Sequence, residues 1–146
     1  MAVDRELLRQ FYDLKQLFND KWAPAILVTL AEGKMRRVDI FSTIKSFSYG
    51  EEWSDKQKPL QDSTLARTLK RMTEEGLLVR AESDPPTFPA EVYYSLTPPM
   101  EEFLAAVGAV QDWSRRHADL IARAQAHRRH NGHDDDNSSD AGESEE

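Results

Sequence analysis

The run Leu60–Arg80, LQDSTLARTLKRMTEEGLLVR, constrains the fold of this 146-residue chain more than any other stretch. Leu65, Leu69 and Met72 recur at i, i+4 and i+7, one stripe of an α-helix. Asp62 and Ser63 precede the stripe, where a side-chain oxygen can cap the first free N–H groups. Gly76 follows the last turn at a place suited to a left-handed C-cap, and Leu77-Leu78-Val79 opens an extended run. The opposite face carries Ser63, Thr64, Arg67, Thr68, Lys70 and Arg71. These are hydroxyls and cations, the side chains that contact base edges and phosphates. Taken alone, the pattern also fits an ordinary amphipathic helix with a solvated basic face, so the flanking segments have to decide.

Upstream, residues 4–18 place Leu7, Leu8, Phe11, Leu14, Leu17 and Phe18 at helical spacing and predict a first amphipathic helix. Asn19-Asp20 interrupts it and offers a cap. KWAPAILVTLAEG follows as a second helix, with Pro24 tolerated in its first turn and Trp22, Ile26, Leu27 and Leu30 as core candidates. MRRVDIFSTIKSF predicts a short third helix through Val38, Phe41 and Ile44. The opening stretch then becomes the second member of a helix-turn-helix pair. Residues 46–59 between them are polar, with Gly50 and Pro59 as punctuation, yet carry Phe47, Tyr49 and Trp53. Two readings of that segment stand: a surface loop whose aromatics fold back on the core, or a contact surface for DNA, a small-molecule effector or a protein partner.

Downstream, 78–82 and 91–96 read as two strands joined by a proline-rich loop, a β-hairpin wing. Thr97 offers a cap and Pro98 a first position for one long helix, with Glu101 and Glu102 near its positive end. Phe103, Val107, Val110, Trp113, His117, Leu120, Ile121 and Ala124 form its stripe. So long a stripe exceeds what this small core can cover, which predicts a second copy of the chain as its cover. The expected dimerisation residues are Leu7, Phe11, Val107, Val110, Trp113, Leu120 and Ile121.

The formal net charge of −7 argues against a nucleic-acid partner until it is located. Residues 131–146 hold seven acids and no Lys or Arg, so 19 acids face 19 bases over residues 1–130. The expected division is thus a domain over 1–130 and an acidic, disordered tail over 131–146. Bases cluster at Lys34, Arg36, Arg37 and Lys45, and at Lys56 and Lys58 just before the opening helix. The absence of cysteine excludes disulfides and thiolate metal sites. No apolar run reaches membrane-spanning length. Asp4, Arg5 and Glu6 stand where a signal peptide needs an apolar stretch, which together with the missing cysteines fits the cytoplasm. No Gly-rich phosphate loop or nucleophile–base pairing points to an enzyme, and no cofactor is expected. His127, His130, His133 and Asp134 have a spacing open to weak metal binding, but the expected metal assignment is none.

Together, KWAPAILVTLAEG, RVDIF, STLARTLKRMTEEGLLVR and EVYYSLTP occur in an order that resembles the HxlR-type bacterial transcriptional regulators, over roughly residues 19–117. The resemblance implies a mainly α winged helix-turn-helix with a small hairpin wing and long terminal dimerisation helices. It also implies a homodimer that binds duplex DNA. From it follow a palindromic operator, repression, base reading by Ser63, Thr64, Arg67 and Thr68, and phosphate contacts by Arg71, Lys70, Arg36, Arg37 and Lys34. There are departures. The cysteine with which many members sense oxidants is missing, and Asn19-Asp20 replaces a usual glycine pair. The wing bears Glu82, Asp84 and Glu91 where a base is common. An acidic wing and a formally neutral core motivate a second reading, a winged-helix module for protein interaction or small-molecule sensing. Phe11, Tyr12, Trp22 and Trp113 are its candidate pocket lining.

Overall fold

A computed structural model describes residues 2–47, 53, 58–83 and 88–137, with side chains as far as 131. The chain divides into two compact units, Met1–Ser46 with Leu60–Glu102, and Phe47–Pro59 with Phe103–Glu146.

The first unit begins with helix α1, Arg5–Leu17, whose N-cap Asp4 accepts a hydrogen bond from the Leu7 N–H at 3.0 Å. None of its residues is buried within this chain, and Leu7, Leu8, Phe11 and Leu14 all face outward. Helix α2 (Ala23–Thr29) starts with Pro24 in its first turn, as expected of a residue lacking an N–H where none is needed. It is shorter than the sequence predicts, because its last turn tightens into a 3-10 segment, Leu30–Glu32, ending at Gly33. Ile26, Leu27 and Leu30 are buried as expected; Trp22 is half-buried, and Ala23 and Ala25 take the close-packed positions.

Helix α3 spans Arg37–Lys45 and α4 spans Asp62–Glu74. Two expectations for these helices need correction. In α3 the buried pair is Ile40 and Ile44, at i and i+4, whereas Val38 is 59% exposed because it lies a half-turn away from Ile40. In α4 Thr68 is only 5% exposed, so it is not on the outer face. It falls three residues after Leu65 and four before Met72, which puts it on the apolar stripe itself. The capping also differs. Gln61 is the N-cap and provides no side-chain hydrogen bond, and Asp62 is already helical, with its carboxylate turned to Arg37.

The other end of α4 follows the sequence closely. Gly76 takes φ +84°, its N–H bonds to the Thr73 carbonyl at 3.2 Å, and the Leu77 N–H bonds to the Met72 carbonyl at 2.9 Å. That double bond is a Schellman closure, and it needs a residue at ease in the left-handed region. Because a Cβ there would meet nothing within 4 Å, Gly76→Ala isolates the backbone term. It is expected to lower unfolding stability by about 1–2 kcal/mol, read from urea denaturation. An unchanged midpoint would mean the turn relaxes freely.

Strands β1 (Leu78–Glu82) and β2 (Val92–Leu96) pair antiparallel, with Leu78 opposite Leu96 and Arg80 opposite Tyr94. Residues 84–87 at the expected tip, Asp84 among them, lie outside the described residues. Met35 adds a bridge to Tyr94, with N–H to O distances of 3.0 and 2.8 Å, and ties the start of α3 to the wing. Thr97 does not cap with its hydroxyl as predicted. That group donates to the carbonyls of Gly76 and Leu77, at 3.0 and 3.1 Å, because the ladder brings it beside the α4–β1 turn.

One continuous terminal helix is not what forms. The segments are α5 (Pro98–Ala106), α6 (Gly108–Arg116) and α7 (Ala118–Asn137). Gly108 loosens the first junction, since glycine is a poor helix former, and His117 leaves helical geometry at the second, with φ −116° and ψ 30°. Backbone bonds from Gln111 to Val107 and from Ile121 to His117 carry the chain across both. In the second unit Val110, Trp113 and Leu120 are exposed, while Val107 and Ile121 are half-buried. Most of the 46–59 segment, Tyr49 and Lys56 included, lies outside the described residues. Trp53, however, stacks against the Arg128 guanidinium of α7, 4.8 Å from ring centre to Cζ. The backbone of α7 stays helical to Asn137; residues 138–146 of the expected tail lie outside the described residues.

Candidate nucleic-acid interface

The α3–α4 pair arises because Ile40, Ile44, Leu65, Leu69 and Met72 bury one face of each helix. Their polar faces are left outward, Ser63, Arg67, Lys70 and Arg71 among them, with Thr64 half-buried. One Arg67 Nη2 hydrogen bonds to the Thr64 hydroxyl oxygen at 3.5 Å, a long and weak contact. No ion pair holds Arg67 or Lys70 among the described residues.

Its neighbours are held differently. Arg71 reaches Asp20 at 3.4 Å and Glu75 at 3.6 Å. Arg37 pairs with Asp62 at 3.4 Å and joins the starts of α3 and α4. Arg36 pairs with Asp39 at 3.1 Å, and that hydrogen bond and charge hold its pKa above the ordinary arginine value. Lys34 lies 4.9 Å from the centre of the Tyr93 ring. Tyr93 in turn donates to Glu91 at 3.0 Å, which with partial burial raises the phenol pKa. The fold therefore brings Ser63, Thr64, Arg67, Lys70 and Arg71 onto or beside one helix, with Arg36 and Arg37 at the start of α3. Thr68 is turned inward.

Sequence reasoning missed Asp20, whose only visible signal was its capping position, and Met35, which had none. It also missed a cleft of about 420 Å³ between α3, the start of α4 and the wing, lined by Arg37, Val38, Phe41, Asp62, Arg80, Val92 and Tyr94. Of the proposed effector-pocket residues, Phe11 and Tyr12 are exposed, Trp22 is half-buried, and Trp113 belongs to the second unit. Among the described residues there is no cluster of His, Asp or Glu fit to hold a metal ion, and no helix is long and apolar enough to cross a membrane.

A family model, HxlR-like helix-turn-helix, matches residues 17–122. The chain belongs to the HxlR-like helix-turn-helix family. As a member it is a DNA-binding transcriptional regulator of the winged-helix kind. Solved structures agree on the fold. A protein assigned to the MarR family of transcriptional regulators, from Enterococcus faecalis V583, superposes with a TM-score of 0.61 at 21% identity, covering 84% of this chain and 96% of that one. Diamide-treated YodB from B. subtilis gives 0.53 at 22% identity, with 80% and 95% covered. The redox regulator HypR in its reduced form gives 0.59 at 17% identity, with 77% and 96% covered. No curated protein sequence matches the chain. This HxlR-like chain has the winged-helix arrangement of helices and hairpin, and its sequence contains no cysteine.

Proposed function

We propose that this HxlR-like regulator binds duplex DNA sequence-specifically as a homodimer on a palindromic operator and acts as a repressor. The observation that carries the reading is the outer face of α4, where Ser63 and Arg67 are exposed and, among the described residues, no carboxylate pairs with Arg67. An α-helix fits the major groove, and an arginine on it can take guanine O6 and N7 with both arms. Ser63, Thr64 and Arg67 face the base edges in this reading; Thr68, being buried, supports them from behind. Lys34, Arg36, Arg37, Lys70 and Arg71 serve the phosphates. Three of these five cations are paired with surface carboxylates, but such pairs are worth only about 0–1 kcal/mol and exchange readily for a phosphate. The wing, with exposed Glu82 and Glu91, is left out of the phosphate contacts.

Selection of bound duplexes from a random pool tests this directly. The expected product is a palindrome whose half-sites lie about one helical turn, roughly 10 base pairs, or a multiple of it apart. Failure to enrich any sequence would overturn base-specific recognition.

Dimerisation is assigned to the apolar side chains of α1 and of the C-terminal helices. Phe11 is 67% exposed, and Leu7, Leu8 and Leu14 on the same helix are exposed as well, as are Val110 and Trp113 on α6; rows of apolar side chains in water are candidate contact surfaces. The double variant Phe11→Glu/Trp113→Glu is expected to sediment as a monomer and to lose most operator affinity. A variant that remains dimeric would place the interface elsewhere.

The cleft beside the wing favours a second reading, small-molecule sensing, because its lining combines apolar and aromatic side chains with two guanidiniums and one carboxylate. Screening small amphipathic anions for an effect on operator affinity, with Arg80→Met as control, would separate that role from plain DNA contact.

A further inference from the structure

Asp20 sits where its charge bears directly on the DNA-facing helix. One carboxylate oxygen accepts the Trp22 N–H at 2.7 Å and fixes the turn that opens α2. The other lies 3.4 Å from Nη2 of Arg71, one turn beyond Arg67 on α4. Asp20, Thr64, Arg67, Thr68 and Arg71 together line a shallow cup of about 250 Å³ on the surface of the first unit. The cup contains two guanidiniums, two hydroxyls and one carboxylate. Without the carboxylate it has the composition of an oxyanion seat, since guanidiniums and hydroxyls are the usual donors to phosphate oxygens.

We propose that this cup seats a phosphodiester of the DNA backbone, and that Asp20 is a built-in competing anion that the phosphate must displace from Arg71. The inference rests on the proposed reading of α4 and adds a residue and a role to it. The Asp20–Arg71 pair suits an exchange. At 3.4 Å it is longer than a strong charge-assisted hydrogen bond of about 2.8 Å. The Arg71 side chain keeps 44% of its surface and that of Asp20 25%, so water can enter as the pair opens. Glu75, 3.6 Å from Arg71 Nε, flanks the same guanidinium. Arg71 therefore has two carboxylates for one charge, and the seat is close to neutral until one of them withdraws.

The functional consequence is a lower affinity for every duplex whose phosphate takes the seat. The cost of displacing Asp20 is the same for each, so it does not change the ratio of affinities. An operator held also by base contacts still binds at salt concentrations where an arbitrary duplex, held by its backbone charge alone, does not.

The test is a set of binding isotherms over a range of salt, using the purified full chain with a duplex of arbitrary sequence and with the selected operator. Asp20→Asn keeps an oxygen for the Trp22 N–H and removes the charge; Asp20→Ser is the substitute if that variant melts below the assay temperature. The expected result is several-fold tighter binding of arbitrary duplex at low salt. The slope of log K against log salt should steepen by about 0.9, one further phosphate neutralised. Arg71→Met should abolish the gain when combined with Asp20→Asn. Unchanged affinity and slope in Asp20→Asn would overturn the proposal. So would a gain that survives Arg71→Met, since the effect would then be the general field of the surface. If the unaltered protein binds neither duplex, the proposed function itself has failed, which is a different result from a binding protein indifferent to Asp20.

Discussion

Replacing Arg67 with alanine is expected to lower the preference for operator over arbitrary duplex by about 1–3 kcal/mol, roughly five- to a hundredfold. Arg67 is exposed on the outer face of α4, and among the described residues its contact is a 3.5 Å hydrogen bond to the Thr64 hydroxyl, weak enough to give way to a base. Its removal is expected to leave the fold intact, because Arg67 is exposed and lies outside the buried stripe of Leu65, Leu69 and Met72. Competition gel shifts, with operator and arbitrary duplex in the same tube, separate two outcomes. A fall in operator binding with arbitrary binding nearly kept would mark a base reader. An equal fall in both would make Arg67 a phosphate ligand and move base recognition to other side chains.

The second large effect lies beneath the same helix. Leu69 is 0% exposed and lies between Leu65 and Met72 on the buried stripe of α4. Leu69→Ala is expected to cost about 2–5 kcal/mol, the transfer of the lost methyl groups plus the cavity they leave. Set against a total stability of about 5–15 kcal/mol, that is enough to depress the urea midpoint severely. DNA binding should be lost with the fold and recover only where the variant is still folded. A loss under about 1 kcal/mol would show that the site collapses around the alanine, and that the stripe does not fix the position of α4.

The two variants divide the helix into its two faces, and that division was the most legible feature of the chain. A period of 3.6 residues is recorded locally, as are the helix's end at Gly76 and the strand that follows. Hence α4 ends where the glycine permits φ +84°, and β1 occupies the predicted 78–82. The angular resolution of such patterns is poor, however. Thr68 and Val38 lie on the sides opposite to those their polarity predicts, because a hydroxyl and an isopropyl group reveal polarity but not phase. Each was settled by the stronger apolar neighbours at i±3 and i±4. The single terminal helix failed for a related reason. Its stripe runs past Gly108 and through His117, and a hydrophobic period does not register backbone angles.

What the sequence determined by itself is what short-range physics writes into neighbouring residues: the order of helices and strands, the Schellman turn, the buried leucines and the family likeness they carry. The tertiary structure alone decided which charges meet. Asp20 and Arg71 are separated by 51 positions, and Arg37 and Asp62 by 25, yet each pair stands 3.4 Å apart. An ion pair of that kind leaves no periodic trace in a chain, because it depends on the packing of two helices rather than on the spacing within one. The same packing engages Arg37 and Arg71, whereas among the described residues it gives Arg67 no carboxylate partner.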